Sequence, residues 1–178
     1  MTRPVSEYAV DRLDDDGGPI RPEGTGRDPD GRLVWAPPAP AGRLDGAWWP
    51  RTHDAGGELT ALMPAVSHHL GGPVRRVSVN IDAWGPDQPR WLQIGGVRVR
   101  LGWFRTLDPA TVTLGRDNDD RVTLLVIPPE LEPGAARRLL RRLSSATQWP
   151  DSAATALGSV GPSGDAADDP APVGGNRG

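Results

Sequence analysis

The chain has 178 residues, a formal net charge of −3, 23 Gly, 20 Pro and no Cys. Such a length admits one domain of ordinary size, and the lack of cysteine removes disulfides, thiolate metal sites, Fe–S clusters and Cys nucleophiles together. No run of about 18 apolar residues could span a bilayer, and Met1-Thr2-Arg3-Pro4-Val5-Ser6-Glu7 lacks the apolar stretch of a secretory signal. The expectation is a cytoplasmic protein with no membrane span.

Residues 1–42 show no sustained periodicity, are rich in Asp, Gly and Pro, and end in Pro37-Pro38-Ala39-Pro40-Ala41-Gly42. They read as a disordered acidic tail and an extended linker, because such composition buries too little apolar surface to offset the entropy of ordering. Residues 150–178 read as a second disordered tail. The body between them, residues 43–149, carries 14 Arg against 11 acidic residues, a net +3, while the two tails together carry a net −6. All basic residues are Arg, a bias that a GC-rich coding genome explains more easily than any chemistry does, so the Arg count says little about phosphate binding.

Within the body, Leu44 to Pro50 reads as a first strand around Trp48-Trp49. A helix follows, because Leu59, Leu62, Met63, Val66 and Leu70 share one stripe, with Asp54 as N-cap, Gly71-Gly72 as stop and a kink or restart at Pro64. Val77, Val79, Ile81 and Ala83 then alternate with Ser78, Asn80, Asp82 and Trp84 as a half-buried strand. Arg90–Ile94 and Val97–Arg105 flank Gly95-Gly96, which suits a type I′ hairpin pairing Leu92 with Val99, Ile94 with Val97, Trp91 with Arg100 and Gln93 with Arg98. Thr111–Leu114 and Arg121–Ile127 form a second hairpin, whose last strand is apolar on both faces and therefore central. Pro133 opens a final helix with Ala136, Leu139, Leu140 and Leu143 on one side and four Arg on the other. The predicted fold class is α+β: an antiparallel sheet of about five strands with two amphipathic helices on one face and disordered tails.

Four segments carry a family resemblance: Leu44-Asp45-Gly46-Ala47-Trp48-Trp49-Pro50-Arg51; Asn80 with Trp84; Trp103-Phe104-Arg105 ahead of Asp108-Pro109; and Leu124-Leu125-Val126-Ile127-Pro128-Pro129. Together they resemble the actinobacterial domain-of-unknown-function family 5994, over residues 43 to about 149. The resemblance implies an actinobacterial, cytosolic source. It implies no activity, cofactor or catalytic residue.

Seven Trp against one Phe and one Tyr is the oddest feature of the composition. Trp48 and Trp49, as strand neighbours, must point to opposite faces. Alternation places one of them, with Trp84, Trp91 and Phe104, on a helix-free sheet face beside Asn80, Asp82, Arg98 and Arg100. The candidate ligand-binding residues are accordingly Trp84, Trp91, Arg98, Arg100, Asn80 and Asp82, with aromatics to stack a flat group and guanidinium or amide groups to orient it. The competing reading is that pairs such as Trp91–Arg100 only stabilise an exposed sheet.

His68 and His69 lie about 100° apart on a helix and cannot chelate one ion. His53, Asp54 and Glu58 suit helix capping better than a metal, and the loop Asp117-Asn118-Asp119-Asp120 lacks the Gly and Glu of an EF-hand. No metal and no cofactor is expected. There is no Gly-x-Ser-x-Gly, Gly-x-x-x-x-Gly-Lys or His-Glu-x-x-His, so no catalytic residue stands out. The reading is a non-enzymatic binding or accessory domain for a small molecule or protein. Its alternatives are an enzyme without a recognisable motif and, disfavoured by the acidic tails, weak nucleic-acid binding.

Overall fold

A computed structural model describes residues 31–38, 43–85, 88–116 and 120–158. Seven strands form one mixed sheet: β1 (Leu33–Trp35), β2 (Gly46–Trp48), β3 (Arg76–Asn80), β4 (Trp91–Ile94), β5 (Val97–Phe104), β6 (Thr111–Gly115) and β7 (Arg121–Val126). Their order is β1-β2-β7-β6-β3-β5-β4. Three helices complete the fold: α1 (Ala55–His69), α2 (Pro133–Ser144) and α3 (Ala153–Gly158). The class is α+β, but the sheet is neither five-stranded nor purely antiparallel, since β2 pairs with β7 and β3 with β5 in parallel.

The alternation of apolar residues assigns each helix to a face. Val77, Val79, Val99, Leu101, Val112, Leu114, Val122 and Leu124 pack with Leu59, Leu62, Met63 and Val66 of α1. On the other side, Ala47, Leu125 and Ile127 pack with Ala136, Leu139, Leu140 and Leu143 of α2 and with Ala153 and Ala156 of α3. The two predicted helices therefore cover opposite faces. Leu124 and Leu125, consecutive on β7 and both fully buried, need an apolar layer on each side.

Helix α1 begins where the Asp54 carboxylate accepts from the Gly56 N–H at 3.1 Å and continues through Pro64 without restarting. It ends at Gly71, whose φ of 67° favours glycine. Trp35 of β1 stacks on His69 in its last turn, ring centroids 3.8 Å apart and nearly parallel. The predicted hairpin has the expected register, with Gly95 and Gly96 at φ of 55° and 80°. Two elements fall within the segments read as tails: β1 lies inside 1–42 and α3 inside 150–178. The rest of those segments, apart from residues 31–38 and 150–158, lies outside the described residues.

β2 is the tightest point in the sheet. A Cβ on Gly46 would sit 2.6 Å from the Val34 carbonyl oxygen and 2.9 Å from a Leu124 methyl. Gly46→Ala should therefore destabilise the domain by about 1–3 kcal/mol, the usual cost of overpacking against atoms that cannot yield. An unchanged chemical-denaturation midpoint would contradict this packing.

His69 keeps one side toward solvent, yet desolvation beside Trp35 lowers its pKa below the ordinary 6.5, a shift reinforced by His68 and opposed by Asp45 and Asp120. Above about pH 6.5 both folded and unfolded chains hold a neutral imidazole; as pH falls further, the unfolded chain takes the proton first. Stability should thus decline as pH falls through the range of the unfolded imidazole and level off once folded His69 is protonated. His69→Phe, which keeps a stacked ring, should flatten that decline in urea midpoints measured against pH; an unaltered slope would contradict the assignment.

Candidate functional site

Helices α2 and α3 cover only the β1-β2-β7 side of their face. Beyond it, the face opposite α1 is polar: Thr113 and Thr123 share a hydroxyl contact of 3.2 Å, Ser78 is half-buried and Arg76 exposed. At the far end, Leu92, Val99 and Leu101 turn towards α1, so their strand neighbours Trp91, Gln93, Arg98, Arg100, Gly102 and Phe104 turn away.

Trp91 sits directly across from Arg100, and Gln93 from Arg98. The guanidinium carbon of Arg98 stands 4.0 Å from the Trp91 ring centroid and that of Arg100 5.8 Å. Two residues beyond Arg100, the ring of Phe104 folds over Gly102, where a Cβ would fall 2.7 Å from the phenyl Cε2. Trp91 and Phe104 remain 44 % and 46 % exposed, the two large apolar residues exposed among those described. Between them opens a groove of about 550 Å³ bordered by Gln88, Arg90, Trp91, Arg100, Gly102 and Phe104.

Among the described residues no carboxylate pairs with Arg90, Arg98 or Arg100, whereas Arg43, Arg105, Arg116 and Arg138 each have one. The arrangement offers a flat aromatic surface with guanidinium groups beside it, suited to an anionic group on an apolar or planar body.

Three of the six predicted ligand-binding residues, Trp91, Arg98 and Arg100, meet here; the other three do not. Strand β3 stops at Asn80 and passes into a 3₁₀ turn, Ile81–Ala83, which breaks the alternation that put Trp84 on the open face. Trp84 is instead 3 % exposed, stacked on Trp48 at 5.8 Å within the layer of α1. Asn80 is a buried staple: its amide donates to the Leu107 carbonyl at 2.6 Å, and its oxygen accepts from the Asp82 N–H at 2.7 Å. Asp82 is exposed but pairs with Arg105 at 3.0 Å. Trp48 and Trp49 take opposite faces as expected, and both are buried. Arg90 and Gly102 were not singled out by sequence; the signal for Gly102 was a glycine inside an otherwise regular strand, which marks close approach of another group.

A second, smaller pocket of about 360 Å³ lies across the 3₁₀ turn, walled by Pro50, Pro109, Pro128, Pro129 and Val126. At its rim His53 Nε2 meets Glu130 Oε1 at 2.9 Å. Glu58 accepts from the Thr52 N–H and hydroxyl at 3.0 and 3.1 Å, so it ties the turn before α1 to its first turn, while Asp54 caps the helix. Among the described residues no group of three His, Cys, Asp or Glu is placed to hold a metal, and no helix is long and apolar enough to cross a membrane. The acidic loop at 117–119 lies outside the described residues.

Searches among curated proteins and among solved structures each found no match. The family model described as "Family of unknown function (DUF5994)" matches residues 32–143, from the residue before β1 almost to the end of α2, and so includes the strand Gly46–Trp48 and the whole Trp91–Phe104 groove. With more than half of its length inside that match, the chain belongs to this family of unknown function.

Proposed function

We propose that the protein is a non-enzymatic binding module whose ligand lies in the Trp91–Gly102–Phe104 groove and presents an anionic group to Arg90 and Arg100. The observation that carries this reading is the pairing of two exposed aromatic rings across a glycine floor with arginines that line the same groove and that no carboxylate among the described residues pairs with. Energetics support it. A Trp carries up to ~250 Å² of surface, so 44 % exposure of Trp91 leaves about 100 Å² open, roughly 2.5 kcal/mol of burial not realised at ~25 cal/mol per Å². The cross-strand and cation–π contacts of an exposed sheet contribute only about 1 kcal/mol each. A ligand that covers the ring recovers the difference.

A small molecule or a protein group fits better than a nucleic acid, because the chain carries a net −3 overall, which opposes a polyanion while leaving a local basic groove able to accept one charge. The all-Arg basic complement supports a GC-rich, actinobacterial source.

Thermal-shift titration checks the proposal with a nucleoside monophosphate and an aromatic carboxylate, each beside its uncharged counterpart. An anionic aromatic present at a hundred times its Kd adds about 2.7 kcal/mol of stability, and the wild-type melting temperature should rise accordingly. The folded double variant Trp91→Ala/Arg100→Ala should lose that rise. No shift with any probe, equal shifts from charged and uncharged partners, or a shift retained in the double variant would contradict it.

A further inference from the structure

The sheet has two unlike edges. At one end β1 is three residues long and runs into Ala36-Pro37-Pro38; short length and proline are the devices that stop an edge from pairing further. At the other end stands β4, Trp91-Leu92-Gln93-Ile94, which carries neither proline nor charge.

The hairpin decides which backbone groups this edge offers. Its two-residue turn makes Ile94–Val97 a hydrogen-bonded pair, Trp91–Arg100 and Gln93–Arg98 non-bonded ones, and Leu92–Val99 bonded again. The Leu101 N–H donates to the Arg90 carbonyl at 3.0 Å, in phase with that alternation. The N–H and C=O groups of Trp91 and Gln93 therefore point away from β5, to the side where no strand stands among the described residues. Side chains of an added strand would alternate between the α1 side and the Trp91 face, one strand spacing of about 4.8 Å from β4. There they meet Trp91 and come within reach of Arg98 and Arg100, whose guanidinium groups stand over its ring.

We propose that the open edge of β4 takes an extended acidic segment of a partner protein as an eighth strand, pairing with the backbone of Trp91 and Gln93. This deepens the reading of the Trp91 groove and takes from it the acidic character of the partner. A second copy of this chain fits less well, since edge-to-edge pairing would bring the same arginines together.

The probe is a fluorescein-labelled acetyl-(Glu-Val)4-amide, followed by anisotropy with the full chain. Two further versions carry N-methyl groups, one on the Glu amides and one on the Val amides; each removes the donors along one edge of the peptide. Strand addition uses a single peptide edge, so one version should bind at least tenfold more weakly and the other as the parent does. Gln93→Pro deletes an outward N–H and spares the hairpin bonds; with its melting temperature retained, it should also lose at least tenfold. If the parent binds and both methylated peptides bind equally, edge pairing is overturned while the groove reading stands. If the peptide fails at millimolar concentration, edge pairing is overturned; a thermal shift by an anionic aromatic then still supports the groove, and its absence removes both readings. Concentration-dependent dimerisation that Gln93→Pro abolishes, without peptide binding, would assign the edge to a second copy and overturn the acidic partner.

Discussion

Between the Val34 carbonyl and the Leu124 side chain, the backbone at Gly46 has no room for one more carbon, and the rest of the molecule is arranged around that contact. It brings β1 and β7 close on either side of β2. Asp45 holds the register beside it, its N–H donating to the Thr123 carbonyl at 2.8 Å while its carboxylate accepts from the Thr123 N–H at 2.7 Å. The next three residues then divide between the layers: Ala47 and Trp49 enter the core under α2, and Trp48 enters the core under α1. A three-residue strand thereby ties both helical layers to one sheet. Arg32 adds a guanidinium 4.1 Å from the Trp49 ring, anchoring the chain where it enters β1.

The sheet consequently has two halves of different character. The half holding β1, β2 and β7 is covered on both faces and belongs to the core. The half holding β6, β3, β5 and β4 has α1 on one face, and on the other it carries Thr, Ser and Arg side chains that end in the aromatic groove. On the proposed reading, stability and binding fall to separate strands, so that exposed rings can stand on one half without weakening the packed other.

Much of this was legible in the sequence where a periodicity ran long enough. The Val-Arg-Val-Arg alternation and the Gly95-Gly96 turn led to the correct register for β4 and β5, and the stripe Leu59–Leu70 located α1. Leu124 and Leu125 on one strand marked β7 as central. The same strand needs cover on both faces, so the expectation of two helices on one face was in error: α2 packs on the side opposite α1. What was not legible had a physical reason in each case. Leu33–Trp35 is too short to show a period, and parallel pairing of β2 with β7 leaves no local sequence mark. Trp84 was misassigned because Asn80 caps a 3₁₀ turn and shifts the phase of every side chain after it. Of the candidate site, the part on β4 and β5 was readable and the part beyond Asn80 was not.

The tryptophans give this division its most direct test. Trp48, Trp49, Trp84 and Trp149 are each less than a tenth exposed, Trp35 and Trp103 are half-buried, and Trp91 is 44 % exposed, so Trp91 is the one solvent-borne reagents reach most readily. Oxidative footprinting of the native full-length chain, with each Trp-containing peptide quantified by mass spectrometry, reads that ordering. The account predicts rapid modification of Trp91, with Trp48, Trp49, Trp84 and Trp149 protected until the protein unfolds. Trp84 reacting as fast as Trp91, or Trp91 protected along with the core, would contradict it.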